Sequence, residues 1–258
     1  MDRLDIFLVK TGEFPSREKA QWGIKSGRIE VNGKVINKPS FLVGEGDKIE
    51  NNCKKEYVSR GAYKLKSADE KFKLDFVDKV VLDIGASTGG FTQYALLKGA
   101  KKVYSVDVGR GELSPILQAD GRVVNIEGQD FRTLDKNICP DVNMIIGDVS
   151  FISLKHIFPK IVEMYGEKIE VVMLFKPQFE CGKEVAKKYK GVVLDKKLHI
   201  KLLEEFLVYL TTFGFKVCGL TVSSIRGKEG NIEYLFHLNG GNCQEINIEK
   251  IVNTAFGK

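Results

Sequence analysis

The spacing of hydrophobic positions divides the chain into two parts with different patterns. Near the start, Leu4, Phe7 and Leu8 recur at helical spacing and predict one short helix. Ser16 is a residue type that caps helix N-termini, and a second helix is expected from there to Lys25. The chain therefore opens with two short helices.

The rest of the first part alternates between apolar and polar residues. Residues 29–36 alternate around Asn32-Gly33, the dipeptide that favours a type I′ hairpin turn, and a further short strand is expected at 48–50. We therefore predict a small α+β domain over residues 1–50. Residues 51–58 are polar and have no pattern, which is typical of a linker.

Beyond residue 77, runs of Val and Ile alternate with helical segments. Such runs predict strands buried on both faces, and hence a mostly parallel sheet covered by helices. Two later runs, 215–222 and 232–238, are close in sequence and are expected to pair antiparallel. The second part, 59–258, is therefore predicted to be an α/β domain. Its five parallel strands are expected at residues 80–84, 102–106, 123–126, 142–146 and 169–175.

Composition excludes several classes of protein. Hydrophobic residues make up 43% of the chain, which is too many for a disordered protein. The longest apolar stretches, such as 171–175, are far shorter than the roughly 18 residues that span a membrane, and the first residues do not resemble a signal peptide. The five cysteines and three histidines lack metal-ligand spacing. We expect a cytoplasmic protein with reduced cysteines, no metal and no membrane association.

A glycine-rich loop follows the first strand of the second part. Residues 85–91 read Gly-Ala-Ser-Thr-Gly-Gly-Phe, and glycines let the backbone turn sharply and approach a ligand closely. Asp107 ends the second strand, where it can accept hydrogen bonds from ribose hydroxyls; Asp130 follows the third, where it can accept one from an adenine amino group. Acids without a phosphate-binding lysine favour S-adenosylmethionine over a dinucleotide. A turn that only packs a helix is the alternative.

Ligands of an open parallel sheet bind beyond the carboxyl ends of its strands. Asp148 and Lys176 follow the fourth and fifth strands and so converge there, and Lys64 and Glu233 can reach the same edge. Isolated surface salt bridges are the alternative for these four. The cofactor contacts that we predict at this edge are Asp83, Gly85, Ala86, Ser87, Thr88, Gly89, Gly90, Phe91, Asp107, Val108, Asp130, Phe131 and Asp148.

The first part resembles the small RNA-binding domain first known from ribosomal protein S4. The resemblance is carried by residues 3–5, 16–20 and 26–34. It implies that the second helix and the following loop lie along RNA backbone, where basic side chains release counterions. A solvated helix face is the alternative. The residues expected on RNA are Arg3, Arg17, Lys19, Lys25, Arg28 and Lys34.

The whole chain resembles the TlyA-type ribosomal RNA methyltransferases, historically labelled haemolysins, and its second part is similar to the FtsJ-like ribose methyltransferases. The motifs are the loop 85–91, the segment 147–154, Lys-Pro-Gln-Phe-Glu at 176–180 and Gly-Asn-Ile-Glu at 230–233. The resemblance implies a Rossmann-like class I methyltransferase sheet and S-adenosylmethionine as methyl donor, with S-adenosylhomocysteine as product. It further implies transfer to the 2′-hydroxyl of a cytidine in ribosomal RNA, in the large subunit, with the small subunit as a second candidate.

The family's catalytic Lys-Asp-Lys-Glu tetrad carries over onto Lys64, Asp148, Lys176 and Glu233. A 2′-hydroxyl is a weak nucleophile, so a base or a polarising group must meet it during transfer. We expect Lys176 to take this role and Lys64 to assist, with burial and the neighbouring cation lowering a lysine pKa. The two acids are expected to hold the lysines in place.

Two stretches flank this edge with basic residues. Residues 54–66 carry five basic residues against one acid, and residues 176–201 carry eight lysines against three acids. We expect Arg60, Lys187, Lys188 and Lys190 to touch RNA phosphates. A solvated loop is the alternative for the second stretch.

Three other functions remain open at this point. They are a membrane-active haemolysin, a catalytically silent RNA-binding factor in ribosome assembly, and a methyltransferase that modifies a base or another RNA. The tetrad favours a ribose oxygen over a base, and the absence of an amphipathic or spanning helix disfavours the haemolysin. The sequence carries no signal of oligomeric state.

Overall fold

The structure is a computed structural model that describes residues 1–44, 46–51, 57–241, 243 and 245–257. The chain divides into two compact units, Met1–Glu56 and Tyr57–Lys258. Most of the predicted linker, residues 52–56, lies outside the described residues.

The small unit combines two helices with short strands. Ser16 caps the second helix, its Oγ accepting a hydrogen bond from the Lys19 backbone N–H at 3.3 Å. Asn32 and Gly33 both have positive φ, 52° and 75°, which confirms the type I′ turn. The elements are β1 (Asp2–Arg3), α1 (Leu4–Lys10), α2 (Arg17–Lys25), β2 (Ile29–Val31), β3 (Lys34–Val35), β4 (Leu42–Val43) and β5 (Ile49–Asn51). The sequence did not predict β4, which pairs antiparallel with β1.

The large unit alternates strands and helices, as predicted. Three 3₁₀ turns occur at Phe131–Thr133, Lys136–Ile138 and Leu154–His156. The strands are β6 (Val80–Ile84), β7 (Lys102–Asp107), β8 (Val123–Glu127), β9 (Met144–Gly147), β10 (Glu170–Phe175), β11 (Val217–Val222) and β12 (Tyr234–Leu238). The helices are α3 (Gly61–Phe72), α4 (Gly90–Leu97), α5 (Pro115–Gln118), α6 (Phe158–Tyr165), α7 (Pro177–Glu180), α8 (Lys183–Lys188), α9 (Lys196–Thr212) and α10 (Ile248–Phe256).

These strands form one seven-stranded sheet in the order β11-β12-β10-β9-β6-β7-β8. Strand β12 pairs antiparallel with both β10 and β11, and the other pairs are parallel. The mostly parallel sheet with an antiparallel last strand is therefore confirmed. The chain runs outward in opposite directions from β6 and β9, and such a reversal leaves a crevice at the carboxyl ends of those two strands.

Neighbouring residues of the strands pack into cores on opposite faces of the sheet. Val81 packs with α3 and α4 on one face, and Leu82 packs with α6 and α9 on the other. Both side chains are fully buried. The apolar runs of the sequence reflect this double cover.

One expectation about the cysteines is wrong. Cys218 and Cys243 form a disulfide, whereas the sequence pattern favoured reduced cysteines throughout. Because β11 and β12 are antiparallel, the chain after β12 returns past Cys218 on β11, and a separation of 25 residues does not reveal that meeting. Cys139 and Cys181 are free. Cys53 lies outside the described residues.

Within the described ranges, no helix has both the length and the apolar character needed to cross a membrane.

Candidate active site

A cavity of about 610 Å³ opens beyond the carboxyl ends of β6, β7 and β9. Gly85 follows β6 with φ +79°, and a Cβ at this position would lie 3.0 Å from the carbonyl oxygen of Asp148. Only glycine allows the two loops to approach this closely. The cavity is lined by Ile84, Gly85, Ser87, Val106, Asp107, Val108, Gly109, Glu112, Gln129, Asp130, Phe131, Arg132, Asp148, Val149, Ser150, Phe151, Ile152 and Ile157.

Asp107 and Glu112 fix the wall of this cavity. The Asp107 carboxylate accepts hydrogen bonds from the backbone N–H groups of Ser87 and Gly109, both at 2.8 Å. Glu112 accepts one from the Ser87 hydroxyl at 2.9 Å. Sequence reasoning missed Glu112, because an acid within a polar loop has no distinguishing pattern.

The loop that carries Glu112 curls around a carboxylate of β8. Glu127 accepts hydrogen bonds from the backbone N–H groups of Gly111, Glu112 and Leu113 at 3.0, 2.8 and 2.9 Å. These backbone donors lower the pKa of Glu127 to about 2. The acid therefore stays ionised and holds the loop at neutral pH.

Of the thirteen predicted cofactor contacts, seven line the cavity and six do not. Gly89 and Gly90 instead allow helix α4 to pack closely against its neighbours. A Cβ on Gly89 would clash with Leu117, and one on Gly90 would clash with Ser59. The seven lining residues are Gly85, Ser87, Asp107, Val108, Asp130, Phe131 and Asp148. The six others are Asp83, Ala86, Thr88, Gly89, Gly90 and Phe91.

Asp83 is fully buried below the glycine-rich loop rather than at the cavity surface. Its Oδ2 accepts a hydrogen bond from the Thr92 hydroxyl at 2.6 Å, and Thr92 Oγ1 lies 2.7 Å from Ser105 Oγ. Burial raises the pKa of Asp83 to about 7, with the charges of Asp148 and Asp107 adding to the rise. Asp83 is thus placed to support the loop from beneath.

The charges on the lining suit a cationic ligand. Asp107, Glu112 and Asp148 face the cavity together with Asp130, whose carboxylate is paired with Arg132 at 2.6 Å. Arg132 is the one basic side chain among the described lining residues. S-adenosylmethionine carries a sulfonium and an ammonium and no phosphate, so it fits this donor set, and the volume is in the range of cofactor sites. The described residues contain no cluster of metal-ligating side chains.

Next to this cavity, the structure brings Lys64, Asp148, Lys176 and Glu233 together. Lys64 Nζ lies 3.0 Å from Asp148 Oδ2 and 2.8 Å from Glu233 Oε2. Lys176 Nζ lies 2.6 Å from Asp148 Oδ1, which is the distance of an ion pair although the angle is not that of a hydrogen bond. Asp148 therefore bridges the two lysines. Lys64, Lys176 and Glu233 are buried.

The surroundings of Lys64 act on its pKa in two opposite directions. Burial lowers it, but the charges of Asp148 and Glu233 outweigh burial and raise the pKa overall. Burial likewise tends to raise the pKa of Asp148, and the charges of Lys176 and Lys64 lower it overall. The two carboxylates therefore control the pKa of Lys64.

Ser150 and Phe151 belong to the motif 147–154, but the sequence analysis gave neither residue a role in the site. Lys176 Nζ donates a hydrogen bond to Ser150 Oγ at 2.7 Å, and Ser150 lines the cavity. Phe151 has a positive φ of 64° and is 91% exposed, and its ring centroid lies 5.2 Å from that of Phe179. A large side chain in this backbone region is strained, and such residues concentrate at functional sites.

The parallel sheet, the acid-lined cavity and the tetrad agree with the families that the chain matches. Residues 57–240 match the FtsJ-like methyltransferase family, and residues 2–49 match the S4 domain. The chain belongs to the FtsJ-like methyltransferase family.

Several known proteins match this chain across both its small and its large part. The 16S/23S rRNA (cytidine-2'-O)-methyltransferase TlyA of Mycobacterium tuberculosis is 35% identical over 92% of this chain and 89% of its own. The 23S rRNA (cytidine-2'-O)-methyltransferase TlyA of Campylobacter jejuni is 34% identical over 91% and 98%. A solved structure of a candidate hemolysin from Streptococcus thermophilus has a TM-score of 0.76 at 37% identity, over 99% of this chain and 96% of that one. The expected TlyA-type resemblance is confirmed.

In the S4 domain, two of the predicted RNA-binding arginines also bind a carboxylate of the domain itself. Buried Asp5 accepts hydrogen bonds from Arg3 and Arg17 Nε at 3.0 and 2.9 Å, and from Gln21 at 2.7 Å. Burial tends to raise the pKa of Asp5, but these hydrogen bonds outweigh it and hold the pKa well below its usual range. Arg3 and Arg17 remain 41% and 53% exposed, so both can still reach a phosphate. Lys19, Lys25 and Lys34 are exposed.

The predicted RNA contacts of the FtsJ-like domain also lie at its surface. Arg60 donates a hydrogen bond to the carbonyl oxygen of Arg226 at 3.0 Å. Lys187 and Lys188 are exposed at the end of α8, and Lys190 is exposed just beyond it. These lysines follow the segment that carries Lys176, which places them on the carboxyl side of β10.

Proposed function

We propose that the protein transfers a methyl group from S-adenosylmethionine to the 2′-oxygen of a cytidine in ribosomal RNA. The observation that carries the proposal is the bridged Lys64–Asp148–Lys176 arrangement beside an acid-lined cavity. We propose 23S rRNA as the main substrate and 16S rRNA as a second one, in line with the names of the two TlyA relatives. Such a protein acts in the cytoplasm, where ribosomes are assembled.

S-adenosylmethionine supplies an electrophilic methyl group on a sulfonium. In our proposal, Gly85, Asp107 and Asp130 orient the cofactor in the cavity. Lys176 meets the 2′-hydroxyl. As an ammonium it polarises this group and the proton leaves to solvent, or as a free amine it takes the proton itself. Ser150, which accepts a hydrogen bond from Lys176 Nζ, keeps this nitrogen aimed at the cavity. Polarisation by a positioned side chain of this kind contributes typically 10²–10⁴-fold to a rate.

Lys64 is proposed to stay protonated, since its pKa is raised. It then anchors Asp148 from one side while Lys176 holds the other carboxylate oxygen. Glu233 lies 2.8 Å from Lys64 and supplies the second negative charge of the tetrad. The tetrad as a whole is neutral, so the pocket gains a positioned ammonium without net charge.

The experiment combines purified full-length protein with tritiated S-adenosylmethionine and ribosomal RNA. We expect label in RNA, and 2′-O-methyl mapping should place it on a cytidine ribose. Mapping rRNA from cells with and without the gene then identifies the nucleotide and the subunit. Label on a base would contradict the ribose assignment, and RNA binding without any label would instead indicate a silent assembly factor. A liposome-leakage assay of the same preparation tests the haemolysin alternative, for which we expect no leakage.

A further inference from the structure

One aromatic ring is exposed on helix α2 of the S4 domain. Trp22 keeps 45% of its surface exposed, although tryptophan side chains are highly buried on average. Lys19 and Lys25 lie three residues before and after it, which puts all three side chains on one side of the helix. Both lysines are exposed. A large ring therefore lies between two cations at the surface.

The turn after α2 brings a third cation to the same ring. The backbone N–H groups of Gly27 and Arg28 donate hydrogen bonds to the carbonyl oxygens of Ile24 and Gly23, at 3.0 and 3.2 Å. Gly27 has φ +71°, which glycine adopts without strain. The guanidinium carbon of Arg28 consequently lies 5.3 Å from the centroid of the Trp22 ring. This cation–π contact helps to hold the ring in one orientation.

We propose that Trp22 is a stacking platform for an unpaired nucleobase, with Lys19, Lys25 and Arg28 contacting the neighbouring phosphates. The inference rests on the proposed function, because it takes RNA as the partner. A base within a duplex has both faces covered by its neighbours, so an unpaired base is the one that can stack on a protein ring. The two lysines favour an anionic partner over a protein surface, since lysine is depleted in protein interfaces.

Trp22 is the only tryptophan of the chain, so intrinsic fluorescence reports on this position alone. The full-length protein is titrated with a short single-stranded oligoribonucleotide and, separately, with the perfect duplex made from the same strand. We expect quenching of Trp22 emission by the single strand and little change with the duplex. Unchanged emission at saturating single strand, with binding measured independently by filter retention, would overturn the proposal.

Substitutions separate stacking from charge. Trp22→Leu keeps an apolar side chain without an aromatic face, and we expect affinity for the single strand to fall by about 5- to 150-fold. Trp22→Phe should restore most of that affinity. Because Trp22 carries no charge, Trp22→Leu should leave the salt dependence of binding unchanged, whereas Lys19→Ala should reduce its slope by roughly 0.7. Circular dichroism verifies that each variant is folded, which is expected because Trp22 is exposed.

The outcomes also separate this inference from the proposed function. If the parent protein methylates ribosomal RNA and Trp22→Leu binds and methylates it equally well, the stacking role is wrong and the proposed function stands. If Trp22 emission responds to single-stranded RNA but no methyl transfer occurs, the stacking role stands and the proposed function fails. Emission that responds to ribosomal proteins freed of RNA, and not to RNA, would assign this face to a protein partner and overturn the inference.

Discussion

Two lysines of the tetrad show how identical side chains acquire different environments. Lys64 lies between the carboxylates of Asp148 and Glu233, whereas Lys176 contacts one carboxylate and the hydroxyl of Ser150. Pairing within the group offsets much of the cost of burying charge. Lys176 is bound by fewer carboxylates and its partner Ser150 lines the cavity, so it is the lysine that we expect to reach a substrate hydroxyl.

Replacing Lys176 tests this assignment. We expect Lys176→Ala to lower kcat for RNA methylation by about 10²–10⁴-fold, because the hydroxyl loses its polarising group. Binding of S-adenosylhomocysteine, measured by titration calorimetry, should change little. Lys216→Ala is the matched control. Lys216 is an exposed lysine at the amino end of β11, whereas Lys176 follows the carboxyl end of β10. Methyl transfer near the parental rate in Lys176→Ala would remove this residue from the mechanism.

Buried Asp83 predicts a pH dependence of stability. Its pKa is raised to about 7 in the folded protein, so the neutral form is favoured on folding. This contribution is fully present below the ordinary aspartate pKa of about 4 and is lost as pH rises through about 7. Asp83→Asn removes the titration while its amide oxygen can still accept from Thr92. We expect the difference in thermal midpoint between Asp83→Asn and the parent to grow in favour of the variant between these pH values. A difference that is constant with pH would contradict the raised pKa.

At the scale of elements, one carboxylate of β8 organises the loop before α5. Glu127 Oε1 accepts the N–H groups of Glu112 and Leu113, and Oε2 accepts that of Gly111. The same loop carries Glu112 and Gly109 into the lining of the cavity. We therefore expect cofactor affinity to depend on Glu127, a residue that does not itself line the cavity.

Substituting Glu127 separates loop order from the cavity surface. In Glu127→Gln the amide oxygen can keep two of the three N–H groups, but its NH₂ would face the N–H of Gly111, donor against donor. We expect the KM for S-adenosylmethionine to rise about tenfold, with kcat largely retained, because the loop loses a charge-assisted hydrogen bond and gains a contact between two donors. Glu249→Gln, in an exposed first helical turn, is the control. If both variants have the parental KM, the loop does not depend on Glu127.

Elements with a long apolar pattern or an adjoining turn signature were predictable, and short ones with neither were not. Strand β6 coincides with its predicted run because helices cover both faces of the sheet, and every residue of Val80–Ile84 except Asp83 is apolar. Strand β4 has two residues and helix α5 has four, too few to display a period. The convergence of Asp148 and Lys176 followed from the parallel sheet. The contact between Lys176 and Ser150 did not, because it depends on the path of a loop.

The whole molecule separates its charges by function. Its net charge of +6 is the sum of two unlike regions. Acids line the cavity of the FtsJ-like domain, and cations are exposed on both domains. The acids suit a cationic cofactor, and the cations suit an RNA backbone. The predicted boundaries at residues 50 and 59 stay a prediction, because residues 52–56 lie outside the described ranges.

The cations after α7 give the last prediction. Replacing Lys187, Lys188 and Lys190 with Ala should weaken RNA binding and lower the slope of log Kd against log salt by about 0.7–0.9 for each phosphate contact that is lost. A control variant replaces three exposed lysines that lie at the amino ends of strands β7, β10 and β11, opposite the carboxyl ends where the cavity opens. They are Lys101, Lys168 and Lys216. Both variants lose three positive charges, so a general effect of net charge would change the two slopes equally. Filter binding at several salt concentrations measures them. A larger drop in the first variant alone would place RNA along this segment, and equal slopes would show that the lysines are only solvated.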